Sequence, residues 1–412
     1  MSKIRSLRVS TPQGACGRLS KEDTFTFGYD DVGPTQAISL TMPVRSAQYS
    51  HDELHPIFQM NLPEGFLREE LRNRLAKIVD ADPMWLLSLS GESSIGRVKV
   101  ESKITESLPG QRHDQKGERL SEILEWDGSE SLFDELVNKY IYRAGISGVQ
   151  PKVLIPEQMS PEAKKATFVK GDLIIKSGRK EYPGLAANEY LCMTIAKHAG
   201  IRVPEFYLSK NKELFIMKRF DQEPDGTSIG FEDMAVLCGL PSDKKYSGNY
   251  THVAKIIRAF ASEQYVLKSL QEFYDSVALS CIVGNGDAHL KNFGLLYSDP
   301  TAMDCMIAPA FDIVNTTAYI PEDRLALDLC GQQSFFAARH GLLDFAKVCG
   351  VVDPYDRIQR LILTTEFVLR EEFEIAESIP HVVDAITAST NMLAEVFMRH
   401  QPSGTFDRDR VK

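Results

Sequence analysis

The stretch Ile282–Tyr297, IVGNGDAHLKNFGLLY, decides how the rest of the chain is interpreted. An apolar run stops at Gly-Asn-Gly, and four polar side chains follow within six residues before the chain becomes apolar again. They are Asp287, His289, Lys291 and Asn292. An acid, an imidazole, an amine and an amide side by side in an otherwise apolar segment indicate a site that carries chemistry.

Composition limits the class of protein before any motif is considered. The 412 residues exceed the roughly 250–300 at which one hydrophobic core stops growing, so two or three lobes are expected. Acidic residues outnumber basic ones by 57 to 47, for a net charge of −10. This acidity argues against free-standing nucleic-acid binding but leaves open binding to DNA through a basic partner.

Neither the cysteines nor the first residues point to export. The seven cysteines are scattered and never spaced C-x-x-C, so a zinc site or a disulfide framework is not expected. The segment MSKIRSLRVS lacks an apolar signal core, and no run of about 18 apolar residues occurs. We expect a cytoplasmic protein with no membrane contact.

Apolar periodicity divides the chain into an α+β arrangement. Residues 1–103 predict an N-terminal unit in which IRSLRVS, CGRLS, DTFTFGY and AISLTM form a meander, NLPEGFLREELRNRLAK forms a helix and MWLLSLSGESSIGRVKV returns to sheet. Residues 104–118 are polar and rich in breakers, which is typical of a linker.

The remainder predicts two lobes. Residues 119–229 contain two short helices, the loop AGISGVQPK, a hairpin in ATFVKGDLIIKSG that turns at residues 170–172, the helix GLAANEYLCMTIAKHAG and two strands in EFYLSKNKELFIMKRFD. Residues 230–412 have apolar spacings of three and four, beginning with FEDMAVLCGL, which predict a helical lobe. The fold class is therefore α+β, with a mixed first lobe and an all-α second lobe.

The interrupted segment matches a phosphoryl-transfer loop. Protein kinases use D-x-x-x-x-N, in which the Asp accepts the substrate hydroxyl proton and the Asn holds Mg²⁺. Asp287 and Asn292 have this spacing, and the apolar segment APAFDIVN, predicted as a strand, brings Asp312 twenty residues after Asn292 as a second metal ligand. The spacing alone is common by chance, because Asp and Asn are frequent in loops.

Two upstream features strengthen the interpretation. Gly145 and Gly148 frame Ser147 in a loop whose backbone amides could approach phosphates, although a plain turn fits the same letters. Lys176 ends the apolar run DLIIK and is placed to pair phosphates, with Glu189 either its ion-pair partner or a solvated carboxylate. The order of loop, lysine, helix, crossing strand, D-x-x-x-x-N and aspartate is that of a kinase.

These motifs carry a family resemblance. GISGVQPK, NEYLCMTIAKHAGI, RFD, GNGDAHLKNF and FDIV, with NLPEGFLREELRNRL and SSIGRV upstream, resemble the HipA family of bacterial toxin kinases over nearly the whole chain. The resemblance implies a two-lobed, protein-kinase-like fold that uses ATP and Mg²⁺ to phosphorylate a protein. It also implies a small HipB-like helix-turn-helix antitoxin that binds DNA, and a substrate among the aminoacyl-tRNA synthetases, whose modification halts growth.

The resemblance assigns roles residue by residue. Asp287 and Lys291 would be catalytic, with Asp287 as the base, Asn292 and Asp312 would hold metal, and Ser147 would be autophosphorylated. The expected nucleotide contacts are Gly148, Gln150, Lys152, Lys176, Lys218, Phe220, Asp221 and His289.

One departure concerns regulation. The family loop has two positions, separated by one residue, that can carry the modified serine, and here the first is Gly145. Only Ser147 offers a hydroxyl, and a phosphate of about −1.5 to −2 charge there would compete with ATP or expel the loop. A small-molecule kinase and a nucleotide-binding corepressor that bridges an antitoxin on DNA remain the alternative functions.

Overall fold

The computed structural model describes residues 4–75, 82–91, 93–101, 117–126, 131–143, 145–158, 172–178, 180–223 and 225–398. The N-terminal unit contains β1 (Ser6–Thr11), β2 (Gly14–Lys21), β3 (Phe25–Tyr29), β4 (Tyr49–His51), α1 (Pro56–Gln59), α2 (Gly65–Leu75), α3 (Pro83–Ser90) and β5 (Lys99–Glu101). Its strands form an antiparallel sheet in the order β4-β3-β2-β1-β5.

Two segments of this unit differ from the sequence-based prediction. AISLTM contributes only an isolated bridge between Ser39 and Met42. The segment that begins at Met84 was predicted as sheet, but its first seven residues belong to α3, and only its end, from Lys99, lies in a strand, β5. Asp82 accepts a hydrogen bond from the Met84 amide, and Pro83 occupies the first helical turn, so a cap and a proline start this helix despite its apolar letters.

The middle lobe is built on a second antiparallel sheet. Its elements are α4 (Leu120–Leu124), α5 (Leu132–Tyr140), β6 (Lys152–Pro156), β7 (Asp172–Ser177), α6 (Leu185–His198), β8 (Phe206–Leu208) and β9 (Leu214–Lys218). The strand order is β6-β7-β9-β8. Of the predicted hairpin, the turn residues 170 and 171 lie outside the described residues.

Because side chains alternate along a strand, the two faces of this sheet pack against different cores. Leu173 and Ile175 of β7 pack into the core shared with the N-terminal unit. Ile174 faces the second core with α6, and Lys176 lies on the same side because strand side chains alternate. Lys152 pairs directly with Lys176 across β6 and β7. Two lysines therefore stand side by side where the sheet meets the second lobe.

The C-terminal lobe is mainly helical. It contains β10 (Gly230–Asp233), α7 (Met234–Leu237), α8 (Tyr250–Phe260), α9 (Glu263–Val283), β11 (Gly294–Tyr297), β12 (Met306–Ile307), α10 (Phe335–Cys349), α11 (Pro354–Glu371), α12 (Phe373–Ala376) and α13 (Pro380–Phe397). Helix α9 is central and packs against α8, α10, α11 and α13.

A small sheet in the order β10-β11-β12 accompanies these helices, so the lobe is not wholly α-helical. The predicted helix FEDMAVLCGL begins as β10, and the predicted strand APAFDIVN has no regular structure after Ile307. Across the described parts of the chain, no helix is both long enough and apolar enough to cross a membrane.

Candidate active site

A cavity of about 470 Å³ lies between the sheet of the middle lobe and the C-terminal lobe. Residues from all three parts of the chain line it, including Asn61 and Ile95 of the N-terminal unit. Of the residues predicted at the site, the cavity wall includes Ser147, Gly148, Gln150, Lys152, Lys176, Phe220, Asp221, Asp287, His289, Lys291, Asn292 and Asp312. Lys218 is absent from that wall.

Lys176 joins the two lobes through a buried charge cluster. Its Nζ lies 2.5 Å from Oε1 of Glu189 on α6 and 2.5 Å from Oδ1 of Asp312 in the C-terminal lobe. Lys176 is 3% exposed and Glu189 is 1% exposed, so both groups are removed from water. The alternative of a solvated Glu189 does not apply, because its carboxylate is the ion-pair partner of Lys176.

The ionisation of this cluster follows from its geometry. Burial disfavours the Lys176 ammonium, but the carboxylates of Asp312 and Glu189 raise its pKa above the ordinary value. Burial likewise opposes ionisation of Asp312, yet Lys176 and Lys152 hold the pKa of that carboxyl well below its usual range. Burial lowers the pKa of Lys152 to about 8, aided by the Lys176 ammonium and despite Asp312.

The backbone at Asp312 is strained. Its φ of 60° lies in the left-handed region, which few residues other than glycine adopt. The following turn is fixed by reciprocal hydrogen bonds, since the Asn315 amide donates to Asn188 Oδ1 at 2.9 Å and Asn188 Nδ2 donates to the Asn315 carbonyl at 2.8 Å. Asn188 is the neighbour of Glu189 on α6, so one helix positions both the ion pair and the strained turn.

The loop after α9 presents the D-x-x-x-x-N residues on a fixed backbone. Gly284 ends the helix with a φ of 72°. The Asp287 amide donates to Asn285 Oδ1 at 3.0 Å, and Asn292 Nδ2 donates to the Asp287 carbonyl at 2.7 Å. Oδ1 of Asp287 accepts a hydrogen bond from the Tyr246 hydroxyl at 2.7 Å. The Asp287 side chain keeps 43% of its surface exposed, so a substrate can reach it.

His289 is buried beside this aspartate. Its Nε2 lies 3.9 Å from Oδ1 of Asp287, and its ring meets Tyr246 edge to face at 5.0 Å. Nδ1 is buried and finds no hydrogen-bond partner among the described residues. Burial lowers the pKa of His289 despite the nearby Asp287 carboxylate. An unpartnered buried ring nitrogen in the cavity wall is a group that a bound ligand can satisfy.

The glycine-framed loop covers one side of the cavity. The Ser147 carbonyl accepts a hydrogen bond from Lys152 Nζ at 3.2 Å, and Ser147 Oγ accepts one from Lys291 Nζ at 2.5 Å. Gly148 has a φ of 121°, and a Cβ there would stand 2.3 Å from Lys152 Nζ. A Cβ at Gly145 would stand 2.5 Å from the Ser94 amide nitrogen. A serine at this first loop position therefore does not fit the observed packing.

An apolar chamber occupies another part of the cavity. Phe220 packs against Phe231 and Phe311, with ring centroids 5.5 and 5.3 Å apart, and Ile174 and Met217 also line the wall. Flat apolar surfaces with a few polar groups nearby are typical of cofactor and nucleotide sites. The chamber can therefore accept an aromatic base while the charged groups face phosphates.

Two predicted nucleotide contacts have other partners. Lys218 Nζ pairs with Glu205 Oε2 at 2.6 Å, on the side of β9 away from the cavity. Asp221 lies in the cavity wall, but its carboxylate is buried in a bidentate pair with Arg219, at 2.9 and 2.6 Å. The Gly96 amide also donates to Asp221 at 2.6 Å, so this residue joins the N-terminal unit to the middle lobe.

Several residues that line the cavity, or that hold its lining residues in place, were not predicted from the sequence. Glu64 binds Lys291 from the N-terminal unit, Asp233 caps α7, Tyr246 holds Asp287, and Asn188 and Asn315 fix the turn after Asp312. Glu64 lies within NLPEG and Asn188 within NEY, both noted as family motifs, but spacing does not reveal contacts across lobes.

The donor set fits Mg²⁺. Asn292 commits its amide nitrogen to the Asp287 carbonyl, so its oxygen remains as a ligand atom, and Asp312 stays ionised. Among the described residues no group of three His, Cys, Asp or Glu side chains could hold a metal. One amide and one carboxylate suit a metal that takes its other ligands from phosphate and water, as Mg²⁺ does.

Family comparison agrees with this geometry. The profile of the HipA-like C-terminal domain matches residues 144–378, and that of the HipA N-terminal domain matches residues 7–101. The chain belongs to the HipA family. The resemblance inferred from the sequence motifs is confirmed.

Two Sinorhizobium fredii proteins resemble this HipA-family chain and are assigned as kinases by inference. Y4dM is 28% identical over 322 residues, which cover 73% of this chain and 72% of Y4dM. Y4mE is 26% identical over 308 residues, covering 69% and 70%.

A solved HipA structure shows the same fold. It comes from a complex of HipA, HipB and operator DNA of Shewanella oneidensis MR-1, with a TM-score of 0.66 over 94% of this chain and 97% of that chain. Identity is 18%, so the match shows the fold alone. The predicted two-lobed, protein-kinase-like fold is confirmed.

Proposed function

We propose that this HipA-family chain is an ATP-dependent serine/threonine protein kinase and the toxin of a type II toxin–antitoxin module. The observation that carries the proposal is the contact of Lys176 with both Glu189 and Asp312, in the wall of the cavity that Asp287 and Asn292 also line. A lysine–glutamate pair, a metal-binding aspartate and D-x-x-x-x-N are the parts that a protein kinase requires.

Asp287 would act on the acceptor. Its exposed carboxylate, oriented by Tyr246, receives the hydrogen bond of a substrate hydroxyl and takes its proton as that oxygen bonds to the γ-phosphorus. The bond from the γ-phosphorus to the bridging oxygen breaks, and ADP leaves. Positioning and electrostatics carry most of the rate enhancement in this chemistry.

The cationic side of the cavity would hold the phosphates. Lys176, already ionised and fixed by Glu189, pairs phosphate oxygens, while Lys152 and the amides around Gly148 contact them from the loop side. Asn292 and Asp312 would hold Mg²⁺. When bound, this ion neutralises phosphate charge and stabilises charge that develops during transfer. His289 Nδ1 is placed to hydrogen-bond the same ligand.

The partners follow from the family. We infer a HipB-like helix-turn-helix antitoxin as the neutralising partner, with DNA reached through it, which accords with the acidic charge of −10. The proposed substrate is a protein of translation, of the aminoacyl-tRNA synthetase class. Ser147 is proposed as the site of autophosphorylation, because it carries the hydroxyl that Gly145 lacks.

Phosphate transfer from radiolabelled ATP tests the activity. The wild-type protein should label itself or an added synthetase, and Asp287→Asn should lower the rate by about 10²- to 10⁴-fold, since general-base catalysis contributes that much. Asp344→Asn, an exposed carboxylate paired with Lys347, is the matched control and should retain full activity.

Growth after induction separates a toxin kinase from the alternatives. Arrest with the wild-type chain and growth with Asp287→Asn is the expected result. Labelling of a small hydroxylated compound with no protein labelled would favour the small-molecule kinase. Nucleotide binding without any transfer would favour the corepressor.

A further inference from the structure

Lys291 makes three hydrogen bonds at one edge of the cavity. Its Nζ donates to Oε1 of Glu64 at 2.7 Å, to Oγ of Ser147 at 2.5 Å and to Oγ of Ser242 at 3.3 Å. The Lys291 side chain is 8% exposed, so the ammonium exchanges water for these three acceptors. We call Lys291, Glu64, Ser147 and Ser242 the Lys291 junction.

The junction connects three separate parts of the fold. Glu64 directly precedes α2 of the N-terminal unit, Ser147 belongs to the glycine-framed loop, and Ser242 precedes α8 of the C-terminal lobe. Glu64 is 227 positions from Lys291, and Ser147 is 144 positions away. One ammonium therefore fixes the glycine-framed loop to both the N-terminal unit and the D-x-x-x-x-N loop, to which Lys291 itself belongs.

Backbone packing beside the junction has the same effect. Gly65 has a φ of 49°, and a Cβ there would stand 2.7 Å from the Val149 Cα. At the other end of the loop, the Ile95 amide donates to the Gly145 carbonyl at 3.3 Å. The N-terminal unit thus contacts both ends of the loop, and Glu64 supplies the charged contact between them.

Glu64 is the negative partner in this arrangement. Burial opposes its ionisation, but Lys291 at 2.7 Å, a hydrogen bond from the Ser147 side chain and Lys245 at 3.9 Å lower the pKa of its carboxyl. The other two acceptors of the junction are neutral hydroxyls. Charge-assisted hydrogen bonds are about twice as strong as neutral ones, so the carboxylate dominates the energy of the junction.

We propose that Glu64 is a positioning residue that acts through Lys291 to hold the loop around Ser147 closed over the cavity. The N-terminal unit would in this way control the loop that contacts the nucleotide phosphates. The contacts that hold the loop are observed, and the effect of the loop on catalysis rests on the proposed kinase function.

Hydrogen–deuterium exchange of the protein without nucleotide tests the structural part. Glu64→Gln should speed exchange of the amides of residues 145–150 by about tenfold or more, the equivalent of one charge-assisted hydrogen bond. Glu70→Gln is the matched control, because Glu70 lies on α2, the helix that Glu64 precedes, and pairs only with Arg74 among the described residues. Unchanged exchange in Glu64→Gln would overturn the proposal.

A second variant guards against a general loss of structure. Glu64→Asp keeps the carboxylate and should restore most of the slow exchange, whereas a packing defect would not be rescued. Exchange in α9 should be the same in all variants. If α9 also exchanges faster in Glu64→Gln and Glu64→Asp brings no rescue, Glu64 serves stability and the proposal is wrong.

Kinetics then test the consequence for catalysis. In Glu64→Gln, KM for ATP should rise by about tenfold while kcat stays within about twofold, because a loop that binds phosphates contributes to ground and transition state alike. An equal loss in kcat with unchanged KM would contradict a positioning role. If the wild-type protein transfers no phosphate, the kinase function is wrong. Hydrogen–deuterium exchange then decides on its own whether Glu64 holds the loop in place.

Discussion

Asn292 donates its amide hydrogen to the backbone carbonyl of Asp287 at 2.7 Å, five residues earlier in the chain. This bond closes D-x-x-x-x-N into a turn and fixes which atom of each side chain remains for chemistry. The nitrogen of Asn292 is used structurally and its oxygen is left for the proposed Mg²⁺, while the carboxylate of Asp287 stays exposed. The spacing of the motif is thus the spacing that one hydrogen bond requires.

Asn292→Ala should abolish most transfer because it removes both the bond to the Asp287 carbonyl and the proposed metal ligand. We expect a rate loss of at least about 10²-fold and a higher Mg²⁺ concentration for half-maximal rate. The measurement is the rate of phosphate transfer over a Mg²⁺ titration. Asn211→Ala, in a surface turn, is the control; an unchanged Mg²⁺ dependence in Asn292→Ala would remove Asn292 from the metal site.

Lys176→Met should destabilise the protein as well as inactivate it. Removal of the ammonium leaves the buried carboxylate of Glu189 and the half-buried carboxylate of Asp312 without their common partner, and breaking comparable buried pairs costs about 3–5 kcal/mol. Urea denaturation measures the change in the free energy of unfolding. Adding Glu189→Gln to Lys176→Met should recover part of the lost free energy of unfolding. A Lys176→Met variant as stable as the wild type would show that these carboxylates do not depend on Lys176.

ATP binding at alkaline pH should take up a proton through Lys152. Its pKa is about 8 in the free protein, so near pH 8 half of the molecules carry a neutral amine. Phosphates favour the ammonium and raise this pKa on binding, so the direction is uptake and not release. Calorimetric titration at pH 8.5 in two buffers of different ionisation enthalpy measures it. Lys152→Met should lose the uptake, and equal uptake in that variant would assign the proton to another group.

The lowered pKa of Lys152 also determines the direction in which stability changes with pH. Burial holds the Lys152 pKa below its unfolded value of 10.5, so the unfolded chain binds more protons between pH 8 and 10.5. The contribution of Lys152 to stability therefore improves as pH rises through this window. Lys152→Met should flatten that part of the stability profile in urea denaturation at several pH values, and an identical slope in both proteins would contradict the assignment.

Asp221→Asn distinguishes a structural role from nucleotide binding. The variant leaves the buried Arg219 guanidinium without its bidentate carboxylate, so the free energy of unfolding should fall by about 3 kcal/mol. Denaturation and ATP affinity, measured on the same preparation, decide the matter. Weaker ATP binding with no loss of stability would restore the predicted nucleotide contact.

Local sequence determined much of this protein. Periodicity located the long helices of the second lobe, since α9, α10, α11 and α13 each bury an apolar face that repeats every three to four residues. The motifs placed Lys176, Asp287, Asn292 and Asp312 in one cavity wall, because their order along the chain is that of a known constellation. The sequence predicted sheet where the structure has α3. This eight-residue helix is buried on every side, so its apolar residues show no helical period.

Tertiary structure alone decided which charges meet. Lys176 and Lys218 are both lysines in apolar strands, yet one is buried between two carboxylates and the other pairs with Glu205 outside the cavity. Glu64 reaches Lys291 across 227 positions, and no local pattern records that contact. Sequence fixes what each residue can do chemically and which elements form locally. The packing of lobes against one another fixes partners, because ion pairing falls off within a few ångströms and depends on burial that only the assembled fold creates.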